Sequence, residues 1–147
     1  MSISLLLLFT ACVSMEKPVE NLSAAPVENS AAPVPLAPLP VVVSRFVLPP
    51  DYTKARELFD LAVTNYEDGE PAVAAPRFIK VAMMVRTNGD TTYAEGFRKM
   101  REVSYQNAAT AYRAAKMKKE GAEALTKAAK EDKENSAMIE ALAKTLK

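Results

Sequence analysis

Histidine and tryptophan are absent from the 147-residue chain, and cysteine occurs once, as Cys12. Without histidine, the chain lacks the side chain that most often serves as general base and metal ligand near neutral pH. A lone cysteine closes no disulfide within the chain and builds no thiolate metal site. An excess of one charge is missing too: 19 Lys and Arg face 18 Asp and Glu, a net charge of +1. That balance argues against nucleic acid, which needs a basic footprint. Glycine is scarce, at four residues, and no glycine-rich phosphate loop follows a strand pattern. Ser104 has no histidine to activate it. The run Asp132-x-Glu134-x-Ser136 lacks the glycine and distal glutamate of a calcium loop. The chain is therefore read as a non-enzyme, with no catalytic residue, no metal site and no cofactor.

What is present falls into two regions. Residues 1–50 hold eight of the ten prolines, no glycine and five charged side chains. Residues 51–147 hold all four glycines, 17 basic and 15 acidic residues and eight of the ten aromatics. Only the second region mixes apolar and charged residues in a way that supports a core. A region of that size buries roughly 60–65% of its extended-chain surface.

The apolar run Ile3–Phe9 is much shorter than the ~20 residues of a membrane-spanning helix, so it reads as an export signal. The stretch Phe9-Thr10-Ala11-Cys12 resembles the lipobox of bacterial lipoproteins, in which small residues precede a cysteine that is lipidated and becomes the new N-terminus. The resemblance implies a signal peptide at residues 1–11 and an acylated Cys12. Each buried methylene of an acyl chain contributes ~0.8 kcal/mol, so several chains anchor stably. Val13 is not the aspartate that marks inner-membrane retention in that family. The implied location is the outer membrane, lipid-anchored and facing the periplasm or the cell exterior. A plain secretory signal with an incidental cysteine is the alternative.

Residues 12–50 read as a linker. Its Pro, Ala, Val and Ser composition, with Ala-Ala-Pro at 24–26 and 31–33, buries too little apolar area to repay its ordering entropy. Pro33, Pro35, Pro38 and Pro40 favour extended polyproline stretches, and the segment is expected to be a disordered tether. The Pro-x-x-Pro at 35–38 is also a ligand pattern for proline-binding domains. Residues 41–48, β-branched and apolar, break the pattern. They either pack back on the following domain or add a strand to a partner's sheet edge.

From Asp51 the apolar period becomes helical. Ala55, Leu58, Phe59, Ala62 and Tyr66 share one face, and Gly69 supplies a stop. Phe78, Val81, Ala82 and Val85 mark a second helix, and Pro76 suggests that it begins late, near Ala75. A long third helix carries Tyr93, Phe97, Met100, Ser104, Ala108, Ala111 and Ala115. Glu120 and Glu123 open a fourth helix, which uses Leu125, Ala128 and Ala129. Asn135 or Ser136 caps a fifth, built on Ile139, Leu142, Ala143 and Leu146. The acids Glu131, Asp132 and Glu134 then serve the start of that last helix.

Residues 55–88 resemble a tetratricopeptide repeat, with Leu58, Leu61, Ala62 and Tyr66 on the first-helix signature, Gly69 in the turn, and Ala74, Phe78 and Val81 on the second helix. Residues 102–135 match again through Tyr105, Asn107, Ala108, Ala109, Ala111 and Tyr112, then Gly121, Leu125 and Ala128. The two matches start 47 residues apart, so about 13 residues around 89–101 are inserted into the usual spacing of 34. The fold class expected for 51–147 is all-α: two helical hairpins of this type plus a C-terminal helix.

Such arrays typically bind peptides or protein surfaces in a groove lined by the first helix of each repeat. The resemblance places Arg56, Phe59, Val63 and Tyr66, then Gln106, Asn107, Thr110 and Arg113, at the partner-binding positions. Because about three repeats are needed to bury a stable array, two leave one apolar face partly covered. The function expected is a non-catalytic, lipid-anchored adaptor or assembly factor for a multi-protein envelope machine of secretion, pilus, motility or efflux type. Its partners are envelope proteins or a second copy, and the membrane through its lipid. The alternative is a structural or cell-wall-binding lipoprotein that spaces envelope layers.

Overall fold

A computed structural model describes residues 35–39, 49, 52–85 and 92–147. Cys12, the signal segment, most of the tether and the apolar run 41–48 lie outside the described residues. Five helices follow in order: α1 (Thr53–Glu67), α2 (Pro71–Met84), α3 (Ala94–Ala114), α4 (Lys118–Glu131) and α5 (Ser136–Lys144). No strand occurs among the described residues, so this part of the chain is all-α. The most extensive helix interface is α2 on α3, followed by α1 on α2 and α4 on α5. Smaller interfaces join α3 to α4, α3 to α5 and α2 to α4.

The helices form where the apolar residues recur. Ala55, Phe59, Ala62 and Tyr66 form the buried stripe of α1, and Phe78, Val81, Ala82 and Val85 are fully buried along and just past α2. Phe59 and Phe78 meet edge-on with ring centroids 5.5 Å apart, which locks α1 to α2. Tyr93 and Ala115 flank α3 as its capping residues, and Asn135 occupies the capping position of α5. No helix has a side-chain hydrogen bond from its own capping residue. The helices are thus held chiefly by packing, the usual source of helix stability in proteins.

Two turns are built alike. After α1, the Gly69 N–H bonds the Tyr66 carbonyl at 3.1 Å and the Glu70 N–H bonds the Asn65 carbonyl at 2.8 Å. After α3, the Lys116 N–H bonds the Arg113 carbonyl at 3.1 Å and the Met117 N–H bonds the Tyr112 carbonyl at 3.0 Å. Both are Schellman turns, which need a left-handed residue just past the helix. Gly69 adopts this conformation freely at φ 85°; Lys116 adopts it at φ 59° and bears the cost of about 1–2 kcal/mol of a side chain there.

The shift of 47 residues that carries Gly69 onto Lys116 also superposes the burial of α2 and α4, both 14 residues long. Ala74, Ala75, Phe78, Val81, Ala82 and Val85 map onto Gly121, Ala122, Leu125, Ala128, Ala129 and Asp132, and every member of both sets is buried. The first helices differ more. α3 has 21 residues against 15 in α1, which accounts for part of the extra length between the repeats. It is also buried on a broader arc, because α2, α4 and α5 all pack against it.

One expectation is corrected. α2 starts at Pro71 and contains Pro76, instead of beginning near Ala75. Pro71 suits the first helical position, where its missing N–H has no partner to lose. Pro76 removes the bond to the carbonyl of Ala72, an exposed residue, and crowds that carbonyl with its ring. Burial of Ala74, Ala75 and Phe78 offsets the loss.

Close crossing explains Gly121. A Cβ there would lie 2.6 Å from Tyr112 Cγ, 2.7 Å from Tyr112 Cβ and 2.8 Å from Leu146 Cδ1. The clash is with the root of the tyrosine, not its flexible end, so α3 and α4 would have to separate. The Gly121→Ala protein is expected to lose about 1–3 kcal/mol through overpacking, although alanine favours the helix by ~1 kcal/mol. Urea denaturation measures this; a gain in stability would show that α4 does not cross α3 so closely.

Candidate functional site

The eight residues assigned to partner binding fall on α1 and α3, and these helices share no extensive interface among the described residues. Arg56 and Arg113 are exposed, while Val63, Gln106 and Thr110 are half-buried. The Arg113 guanidinium donates to Thr145 Oγ1 at 3.1 Å, and the Thr110 hydroxyl donates to the Gln106 carbonyl at 3.1 Å. Phe59, Tyr66 and Asn107 are buried, so their side chains serve the interior in this conformation. The structure groups the residues within each helix but does not join the two groups into one stripe.

Asn107 is fully buried, and neither its Nδ2 nor its Oδ1 finds a hydrogen-bond partner among the described residues. Ser104 Oγ, one turn earlier on α3, is in the same condition. Each such group costs about 1–3 kcal/mol relative to its hydrated state.

A third set of α3 groups is buried but matched. Arg101 Nη1 lies 3.6 Å from Asp132 Oδ1, both side chains being nearly inaccessible, and Arg101 Nη2 donates to Glu134 Oε2 at 2.5 Å. The Tyr105 hydroxyl donates to Asp132 Oδ2 at 3.2 Å, with the Met83 sulfur 3.3 Å away. Asp132 Oδ1 also accepts from the Asn135 backbone N–H at 3.3 Å, at the start of α5. Arg101, Tyr105 and Asp132 were not among the sequence-derived site residues. The available signal was Arg101 itself, spaced four residues from both Phe97 and Tyr105 on an apolar face.

Tyr66 has a partner within the chain. Its hydroxyl donates to the Ala37 carbonyl at 2.5 Å, and Leu36 and Leu39 pack against the core. Residues Leu36 to Leu39, with Tyr66 and Glu67, enclose a hollow of about 330 Å³. The proline-rich segment is therefore attached to the end of α1 at residues 35–39 and is not tether throughout. Burial pushes the Tyr66 hydroxyl above its ordinary value of 10.0. Tyr112 is raised as well, first by burial and then by the nearby Glu120 carboxylate. On the surface, the hydrogen bond from Lys99, followed by its charge, holds Glu95 below the usual carboxylate range.

Among the described residues, no group of three acidic, histidine or cysteine side chains is placed to hold a metal ion. No described helix is long and apolar enough to cross a membrane. No family model, no curated protein and no solved structure matches the chain.

Two outcomes test this geometry. Asn107→Ala removes an unmatched buried amide and improves helix propensity, so stability is expected to rise by about 1 kcal/mol in urea denaturation. A loss of more than that amount would mean that the amide is hydrogen-bonded in the native protein. The second outcome concerns alkaline pH. A tyrosine whose folded pKa lies above its unfolded pKa stabilises the protein fully below the unfolded value, and this contribution disappears as pH rises through the folded one. Stability is expected to hold to about pH 9 and fall beyond pH 10, less steeply in Tyr66→Phe, where only Tyr112 of the raised pair remains. An equal slope in both proteins would show that Tyr66 is not buried against Ala37.

Proposed function

We propose that the chain is a non-catalytic, lipid-anchored envelope protein whose helical domain docks other proteins. The observation that carries this reading is the open first hairpin. Leu61, Val73 and Met84 are the large apolar side chains left exposed among the described residues, at 46%, 41% and 37%, and all three lie on α1 or α2. At the other end of the domain, α5 covers α4. A stacked array that is capped at one end and open at the other has a face suited to a protein neighbour. Arg56, Val63, Gln106, Thr110 and Arg113 are the members of the groove set whose side chains reach the surface.

The burial repeat between α2 and α4 and the paired Schellman turns support the tetratricopeptide-like reading. The lipobox-like Phe9–Cys12 supports acylation of Cys12, and with Val13 it supports an outer-membrane anchor facing the periplasm. A chain so anchored, with a proline-rich segment before a docking domain, acts as an adaptor or assembly factor for a multi-protein envelope machine.

The test has two parts. Cys12→Ser is expected to move the protein from the membrane to the soluble fraction of lysed cells, and unchanged fractionation would remove the anchor from the reading. A photoreactive residue at Leu61 is expected to crosslink one envelope protein in stoichiometric yield. Retention on purified cell wall with no protein crosslink would favour a spacer of envelope layers instead.

A further inference from the structure

Five of the six charged side chains on α3 are paired within the domain, and the sixth, Arg113, donates to the Thr145 hydroxyl. Arg98 pairs with Glu102 at 2.7 Å, Lys99 with Glu95 at 2.6 Å, and Arg101 with both Asp132 and Glu134. The surface formed by α4 and the end of the α5 region is different. A groove of about 640 Å³ is lined by Lys118, Lys119, Lys127, Lys130 and Lys147, with Glu123 as the single acid. All six of these residues are exposed, and none of the lysines has an ion-pair partner among the described residues. Lys118 and Lys119 also occupy the first turn of α4, where the helix dipole opposes cations and Glu120 is the one acidic residue. Beneath the lysines lie Ala122 and Leu146, recessed at 6% and 1% exposure.

We infer that this groove docks an acidic, amphipathic peptide segment of a partner protein. Charge complementarity selects an acidic occupant: five lysine side chains line the concavity against one acidic side chain, Glu123, and give it a positive potential. The recessed apolar floor selects a peptide over a lipid surface. A flat array of headgroups meets the lysine rim but leaves Ala122 and Leu146 untouched, whereas an apolar side chain inserted between carboxylates meets both. From Lys118 to Lys130 the groove follows α4 for about 18 Å, the length of roughly twelve helical residues. The occupant is therefore a segment of about three turns, with leucine-like side chains on one face and Glu or Asp beside them. The groove shares no residue with the α1 and α3 set, so it stands or falls independently of the docking face on the first hairpin.

The experiment uses the full chain and a fluorescent fourteen-residue helical peptide of glutamates with leucines at every third or fourth position. Fluorescence anisotropy is expected to show binding that weakens between about 50 and about 300 mM salt. The double variant Lys127→Gln/Lys130→Gln is expected to bind about three- to tenfold more weakly with unchanged circular dichroism. A peptide with serine in place of leucine is expected to bind less well than the leucine form. If the double variant does not fold, Lys119→Gln/Lys147→Gln provides the same comparison. The inference is overturned by absence of peptide binding, by affinity indifferent to the lysine substitutions, or by equal binding of the serine peptide. It is also overturned if phosphatidylglycerol vesicles bind through these lysines and the peptide does not, since the occupant would then be a membrane.

Discussion

Asp132 carries a charge at 4% exposure, where the end of α4 turns into α5. A carboxylate taken out of water this far costs several kcal/mol unless it is paired and hydrogen-bonded. Its contacts come from two parts of the domain: Arg101 and Tyr105 from α3, Asn135 from the start of α5. The register of α3 against the α4–α5 turn is therefore fixed by chemistry as well as by shape. A slide of α3 by one helical turn, about 5.4 Å, would strand both Arg101 and Asp132. Glu134, largely in solvent, supplies a second carboxylate to Arg101, so the guanidinium too is matched at both Nη atoms. Only its Nε remains without a partner among the described residues.

The same position in the first hairpin is occupied by Val85, fully buried and purely apolar. Two units with one burial pattern thus close in different ways, the first with an aliphatic side chain and the second with an ion pair. The turns show the same divergence, since glycine serves one and a strained lysine the other. Geometry is retained between the units while chemistry is free to vary. This is expected when packing of the second helices, and not any particular polar group, determines how the units are built. The exception is α3, which touches three other helices and therefore concentrates the buried polar groups of the domain.

Helix faces were legible in the sequence because their signal is periodic. The stripes through Phe59, Phe78, Leu125 and Ile139 are where the spacing of 3.6 residues puts them. Gly121 was legible as a position of the second repeat, and Gly69 as a stop. What escaped depends on contacts between distant residues. The docking of 35–39 through Tyr66 joins partners 29 positions apart, and composition alone made that stretch look like tether. Arg101 and Asp132 look like solvated charges until the fold places them opposite each other. Pro76 misled because its penalty of ~3 kcal/mol is local, whereas the burial of Ala74, Ala75 and Phe78 that offsets it depends on the fold. Of the eight positions that the resemblance supplied, Arg56 and Arg113 are exposed, as charged side chains usually are. The burial of Phe59 and Tyr66 follows from their place on the apolar face of α1, whereas that of Asn107 was not legible, because α3 is flanked by α2, α4 and α5.

The makeup of the core connects these features to binding. Of 25 buried apolar residues among those described, 12 are alanine. Alanine lets helices approach closely but buries little area, so apolar stabilisation rests on a few large side chains such as Phe78, Phe97, Leu125 and Ile139. Against this modest sum stand the unmatched groups of Ser104 and Asn107 and the left-handed Lys116. Folded domains are in general only marginally stable, so binding to the folded form alone shifts their stability appreciably. A ligand at a hundred times its dissociation constant adds about 2.7 kcal/mol, a large share of the stability of a small domain. On the proposed reading that contribution would enter at the exposed Leu61, Val73 and Met84 of the first hairpin or at the lysines on α4, and neither lies at the matched polar cluster that sets the register of the helices.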